Sequence, residues 1–169
     1  QRPPPPLSSV REWLTFWLAR GAVPIATMNL QQLSLQHDAW HHQAIYGVTS
    51  DSVHMLNPLG PASWAEFEVC LRTPSVLQVR SSDVLMTSQQ TLRETHDLAL
   101  LSEGPEWRKC RVREQVERVH AGVAALLHGA HGSTAADIPP HVTIPASYVA
   151  GITLFALRDS PAGQALHLS

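Results

Sequence analysis

The feature that most constrains the fold is a helical pattern that ends at a glycine and passes at once into an apolar strand. From Ser9 onward, apolar residues recur at the spacing of one helix face: Val10, Trp13, Leu14, Trp17 and Leu18. Ser9 and Glu12 have the spacing of a capping box, and Gly21 stands where a glycine helix cap belongs. Residues 22–30 (AVPIATMNL) then predict a buried strand. A helix that turns directly onto a sheet is therefore expected.

Two further strands are predicted immediately afterwards. Residues 43–48 and 52–57 have strand-like composition, and the segment Thr49-Ser50-Asp51 between them predicts a tight turn. A short helix follows, with Trp64 and Phe67 three residues apart on one face. This order of elements favours an α+β fold with a largely antiparallel sheet flanked by helices.

The second half of the chain carries weaker signals. Residues 81–104 are polar and without clear periodicity, whereas an apolar stripe predicts one long helix near 105–128 that flanks the sheet. Residues 141–144 and 148–157 predict strands, and the tail from Arg158 is expected to be frayed. The last strand either returns to the first sheet or belongs to a small accessory lobe.

Composition excludes several classes of protein. A chain of 169 residues with 44% hydrophobic residues is long enough for one domain with a real core. The net charge of -2 argues against nucleic acid and anionic membrane as partners. No run of eighteen apolar residues is present. Two cysteines outside any CxxC pattern favour a reducing, cytoplasmic location.

Residues 41–57 carry the pattern that points to chemistry. His41 lies at the start of one predicted strand, and Asn57 ends the next, just before Pro58. A histidine can act as a general base that converts a cysteine to its thiolate, and a neighbouring amide or carboxylate can hold the imidazole in the useful tautomer. Adjacent antiparallel strands would present these two groups side by side.

In this order of elements the chain resembles a papain-like cysteine peptidase of the C39-like kind, over residues 9–80. Gly21-Ala22-Val23-Pro24-Ile25-Ala26 is similar to the first strand of that family, with one residue more between glycine and proline. Gly47 lies six residues after His41 and five after His42, and the family spacing is six. The resemblance implies a papain-like fold and a hydrolase active in proteolysis, with His41 as base, Asn57 as its orienter and His42 as the alternative base. The substrate would be a peptide or protein, and no cofactor or metal is implied.

The nucleophilic cysteine of that family opens a helix upstream of the histidine, and no cysteine precedes His41 here. Cys70 is a weak candidate, since its position three residues after Phe67 favours a packing role. Cys110 lies in the predicted long helix, where catalysis is still less expected. We therefore expect the thiol to come from upstream sequence or from a partner chain. The predicted organisation is a Pro-rich linker at 1–8, the C-terminal half of a peptidase domain at 9–84 and an extension at 85–169.

Three other interpretations remain open at this point. A papain-like fold without a nucleophile would be a scaffold or protein-interaction domain. The same histidine could serve an acyl transferase, because a fold alone does not determine the reaction. His37 and His41 have the spacing of a helical metal-binding pair, yet this stretch runs into a strand and no second ligand cluster follows.

Overall fold

A computed structural model describes residues 9–33, 39–56, 61–90, 104–128, 134 and 138–167, with only the backbone for 87–90. The chain forms two compact units, Gln1–Pro74 with Tyr148–Ser169, and Ser75–Ser147. The division after Pro74 differs from the boundary near residue 84 that the sequence predicts. The C-terminal segment returns to the first unit, so the last predicted strand joins the first sheet and does not belong to an accessory lobe.

The secondary structure is mixed, and both sheets are antiparallel. In chain order the elements are α1 (Val10–Leu18), β1 (Val23–Asn29), a 3-10 turn (Leu30–Gln32), β2 (Trp40–Val48), β3 (Ser52–Met55), β4 (Ala62–Ser63), α2 (Trp64–Leu71), β5 (Val76–Arg80), α3 (Ser81–Gln90), α4 (Pro105–Lys109), α5 (Val112–Leu127), β6 (His141–Pro145), β7 (Gly151–Phe155) and α6 (Pro161–Leu166). The first unit holds a five-stranded sheet in the order β4-β3-β2-β1-β7. The predicted α+β class, with helices flanking an antiparallel sheet, is confirmed.

Helix α1 leads directly into the sheet, as its end signals predict. The Glu12 N–H donates to Ser9 Oγ at 3.2 Å, which caps the first turn. Gly21 adopts a φ of 80°, and the Ala22 N–H donates to the Trp17 carbonyl at 3.1 Å. This last bond, which closes over the left-handed residue, is that of a Schellman ending, where glycine is the favoured residue. Strand β1 therefore begins two residues after this glycine.

The helices α1 and α2 cover one face of the five-stranded sheet. The buried core on this covered face comes from both layers: Leu14, Ala26, Met28, Leu30, Ile45, Val53, Met55, Ala62, Phe67 and Cys70. Because successive strand side chains alternate between faces, the intervening residues of β1 and β2 lie on the other side. This second side, which we term the open face, carries Val23, Ile25, Thr27, Trp40, His42, Ala44 and Tyr46.

The β2–β3 turn is held by both helices. The Thr49 N–H donates to the Ser52 carbonyl at 2.9 Å, which closes the predicted tight turn. From α1, Arg11 Nη1 donates to the Ser50 carbonyl at 2.9 Å. From α2, Trp64 Nε1 donates to the Thr49 carbonyl at 3.1 Å. The hairpin that carries the predicted site is thus tied to the helical layer.

The C-terminal tail forms a capped helix, so the prediction of a frayed end is wrong. Strand β7 pairs with β1, and α6 follows after a short turn. Ser160 Oγ accepts the Gly163 N–H at 3.1 Å, the arrangement of a serine N-cap followed by proline. Ala162 is fully buried, and its N–H donates to the Arg20 carbonyl at 3.1 Å. These contacts fasten the tail to the end of α1.

The second unit corrects two further predictions. Ser81–Gln90 is helical although the sequence pattern there is ambiguous. The predicted single helix is two helices, α4 and α5, separated at Arg111, whose φ of 54° is left-handed and ends helical geometry. Helix α5 packs against β6 of the two-stranded β5–β6 sheet through Val119 and Val142. It therefore belongs to the core of this unit, and not to the core of the five-stranded sheet.

Strand β6 has an unusual neighbour on the side opposite to β5. Gln115 of α5 accepts the Thr143 N–H through Oε1 at 2.8 Å and donates to the Thr143 carbonyl through Nε2 at 3.0 Å. The side-chain amide therefore satisfies both backbone groups of Thr143, as the peptide groups of an adjacent strand would. It donates also to the Cys110 carbonyl at 2.7 Å, which ties the α4–α5 junction to the sheet.

Candidate functional site

The two neighbouring histidines of β2 lie on opposite faces of the sheet. In the β1–β2 register, His41 is opposite Met28 and His42 is opposite Thr27. Met28 is buried on the covered face, so His41 shares that face and is itself half-buried. His42 is on the open face and exposed to solvent. A shift of one residue in the assigned base therefore moves it to the opposite face of the sheet.

A bulge in β2 changes the meaning of the six-residue spacing. Ile45 pairs with Met55, but Gly47 pairs with His54, so two residues of β2 stand opposite one residue of β3. His54 lies between the buried residues Val53 and Met55 and so points to the open face. Gly47 shares that face, whereas His41 does not. In an unbroken strand the even spacing would have placed His41 and Gly47 together.

The imidazole of His42 is held by two neighbours, Thr27 and Tyr148, that the sequence did not indicate. Its Nδ1 lies 2.9 Å from the hydroxyl of Thr27 on β1. The ring of Tyr148 meets it edge to face at 5.5 Å between centroids, and Trp40 lies 5.9 Å from the same tyrosine. The alternation of β1 could have placed Thr27 on the open face. The β1–β2 register and the long-range return of Tyr148 had no signal in the sequence.

The environment of His41 offers less to a general base. Within the part of the chain that the structure describes, the His41 side chain makes no hydrogen bond. The predicted orienter Asn57 lies outside the described residues, as does Pro58. Pairing of β3 with β2 continues as far as Leu56, whose N–H donates to the Ala44 carbonyl at 2.9 Å. The role of Asn57 therefore stays a prediction.

The environment of Cys70 differs from that of an activated nucleophile. Cys70 is inside α2 with 1% of its surface exposed, among the core residues of the covered face. Burial raises the pKa of its thiol, and the negative charge of Glu66 raises it further. These are conditions that disfavour a thiolate, and they agree with the packing role that the sequence favoured. Cys110 is half-buried at the end of α4, in the second unit.

The remaining histidine of the site region has a local structural partner. His54 Nε2 lies 3.2 Å from Ser52 Oγ, and its ring is 5.9 Å from that of Tyr46. Among the residues that the structure describes, no group of three or more His, Cys, Asp or Glu side chains could hold a metal ion. His37, half of the helical pair considered above, falls outside the described residues.

The open face carries large apolar side chains beside the His42 cluster. Tyr46 is 62% exposed, Phe155 of β7 53% and Val23 49%. Side chains of this kind are normally buried when they occur side by side. The face therefore has the character of a contact surface.

Comparisons with known proteins give no relative. No family model, no curated protein and no solved structure matches the chain. In the described residues, none of the helices has both the length and the apolar character that a bilayer crossing requires.

Proposed function

We propose that this chain carries the histidine-bearing part of a papain-like, C39-like cysteine peptidase that hydrolyses a peptide or isopeptide bond. The observation that carries the proposal is an imidazole on an exposed sheet face with one ring nitrogen held by a neighbouring strand. The order of α1, β1, β2 and β3 agrees with that of the family. Both cysteines are free thiols, which fits the cytoplasmic location expected from the sequence.

In this reaction the imidazole removes the proton of a cysteine thiol, and the thiolate attacks the carbonyl carbon of the substrate. The imidazolium then gives its proton to the leaving amine as the C–N bond breaks, which leaves a thioester. Water, deprotonated by the same imidazole, cleaves the thioester and restores the thiol. Because Cys70 is buried with a raised pKa, the thiol in this proposal comes from sequence outside this chain or from a partner chain.

The proposal is tested by labelling the protein that contains this chain with a peptidyl electrophile near pH 6. At that pH an ordinary thiol is mostly protonated, whereas a thiolate paired with imidazole reacts fast. We expect one fast-reacting cysteine, identified by mass spectrometry, that is neither Cys70 nor Cys110. Its labelling should be lost in one of the two variants His41→Ala and His42→Ala, the one that removes the general base, and kept in the other.

The matched control is His54→Ala, which removes an imidazole from the same hairpin outside the His42 cluster. Labelling in this control should equal that of the unaltered protein. Uniformly slow labelling in a protein shown to be folded would overturn the peptidase proposal. Equal loss in all three variants would assign the effect to the hairpin rather than to a base.

A second candidate function is a peptide- or protein-binding module that has no nucleophile. The exposure of Tyr46, Phe155 and Val23 on one face favours it. Its signature is binding of the same peptide without its reactive group, measured by fluorescence anisotropy, in a protein that shows no fast-reacting cysteine. Tyr46→Ser and Phe155→Ser should weaken that binding, and unchanged affinity in both variants would rule this candidate out.

A further inference from the structure

We infer that His42, rather than His41, is the general base of the proposed peptidase, and that Thr27 is its positioning residue. The inference rests on the proposed function and deepens it. The spacing expected from the peptidase resemblance favours His41 as the base, and the resemblance implies Asn57 as the residue that orients it. The Thr27–His42 pair is a different arrangement, built from two strands whose residues are all described.

The first support is the backbone geometry. Thr27 and His42 stand directly opposite each other in adjacent antiparallel strands, so their Cβ atoms are held about 4.5–5.5 Å apart. The threonine side chain is β-branched and restricted about χ1, which fixes its hydroxyl relative to β1. The resulting distance from Thr27 Oγ1 to His42 Nδ1 is 2.9 Å. Neither residue depends on a loop for its place.

The second support is the chemistry of the bond. A threonine hydroxyl can accept the Nδ1–H of an imidazole, and the lone pair then resides on Nε2. In the part of the chain that the structure describes, His42 Nε2 has no hydrogen-bond partner, and the side chain is exposed. When Nε2 takes a proton from a thiol, Nδ1 remains a donor and the bond to Thr27 persists. A hydroxyl at this position therefore serves both states of the base.

The third support is the restriction of the ring. Tyr148 lies edge to face with His42, and Trp40 packs beside the same tyrosine. The aromatic contact on one side and the hydroxyl on Nδ1 together hold the imidazole plane. Among the described residues His41 has no comparable set of contacts, and it lies on the sheet face that the layer of α1 and α2 covers. An approaching thiol can reach His42 from solvent without displacing that layer.

The first experiment reads the tautomer directly and needs no activity. Two-bond proton–nitrogen correlation spectra of the chain are recorded near pH 8. This pH is above the ordinary histidine pKa of about 6.5, so that an unperturbed imidazole is neutral. We expect His42 as a single tautomer protonated on Nδ1. In Thr27→Val, which keeps the β-branched shape, the resonances should move to a mixture of tautomers, and Thr27→Ser should restore them. His54 serves as the internal control and should not change.

The second experiment assigns the base by the labelling assay. We expect His42→Ala to abolish fast labelling and Thr27→Val to slow it roughly three- to tenfold, the effect of about one hydrogen bond. Thr27→Ser should recover most of the rate, and His41→Ala should retain it. If Thr27 had only a structural role, Thr27→Val would lower stability but would leave the His42 tautomer unchanged, and there would be no tautomer change for Thr27→Ser to reverse.

Each contrary outcome identifies what has failed. Loss of labelling in His41→Ala with retention in His42→Ala overturns the base assignment and leaves the peptidase proposal standing. An unchanged His42 tautomer in Thr27→Val overturns the role of Thr27, whatever the labelling shows. An absence of fast labelling in the unaltered protein overturns the peptidase proposal, and the base role of His42 falls with it.

Discussion

The two faces of the five-stranded sheet are made by the same strands and have opposite characters. The covered face is closed by α1 and α2, with Ala26 and Ile45 almost completely buried. The open face exposes Tyr46 and Val23 and carries His42. Stability and candidate chemistry are therefore separated by the alternation of side chains, and not by segments of the chain. A single residue step along β2 moves from one to the other.

The comparison is tested most strongly at two adjacent residues of β2. Ile45→Ala removes buried methyl and methylene groups on the covered face and should lower the free energy of unfolding by about 2–5 kcal/mol. Tyr46→Ala removes a larger side chain from the open face and should cost less than about 1 kcal/mol. Urea denaturation of both variants measures the difference. Equal losses would mean that the open face contributes to the core.

A second test uses two glycines of the first unit. A Cβ on Gly163 would lie 2.2 Å from the Leu157 carbonyl oxygen and 2.7 Å from that of Arg158, and both of these are backbone atoms. We expect Gly163→Ala to destabilise by roughly 2–3 kcal/mol, because the packed backbone cannot move aside cheaply. Gly151→Ala is the control, since nothing lies within 4 Å of its Cβ position. Thermal unfolding should show it to be neutral, and a large loss there would contradict the assigned β7 environment.

The smallest expected effect concerns the start of α2. The Glu66 carboxylate accepts from Ser63 Oγ at 2.7 Å and from the Ser63 N–H at 2.9 Å, and Ser63 Oγ accepts the Glu66 N–H at 3.3 Å. Ser63→Ala breaks this capping box and should cost about 1 kcal/mol in urea unfolding at neutral pH. A cost near zero would show that α2 does not depend on its cap to cover the sheet.

The same capping box predicts a pH dependence. The hydrogen bonds from the Ser63 hydroxyl and then its N–H hold the pKa of Glu66 below the ordinary value of 4.5. A lowered pKa in the folded state means that the contribution of Glu66 is present above pH 4.5 and is lost as the pH falls through the lowered value. Unfolding measured through this acid range should show a smaller loss in Ser63→Ala. In Glu66→Gln this part of the loss should disappear.

Local signals in the sequence were sufficient for most of the first unit. The cap residues of α1 and the turn at Thr49 are short-range patterns, and the structure follows them. The prediction for the tail was wrong although Ser160 and Pro161 form a helix-start signal. The helix is short and depends on burial of Ala162 against distant residues. The break at Arg111 was not predicted, because nothing in the composition signals an arginine with left-handed backbone geometry.

The candidate site was predictable only in part, for a related reason. A histidine at the start of β2 followed from the sequence order, but its face depended on the strand register. The bulge before Gly47 changed which residues share a side, and no local pattern announced it. Thr27 reaches His42 through the pairing of β1 with β2, and Tyr148 reaches it through the return of the chain before β7. Sequence spacing encodes neither. Knowledge of the register would have been enough to find Thr27.

The amide of Gln115 has a consequence for behaviour in concentrated solution. An unpaired strand edge is a template on which another chain can add a strand, and such addition leads to aggregation. By bonding both backbone groups of Thr143, Gln115 ends the two-stranded sheet with a side chain instead of a third strand. A helix residue thus acts as a terminator of sheet growth. The small sheet can remain two strands wide without offering that position to a neighbouring molecule.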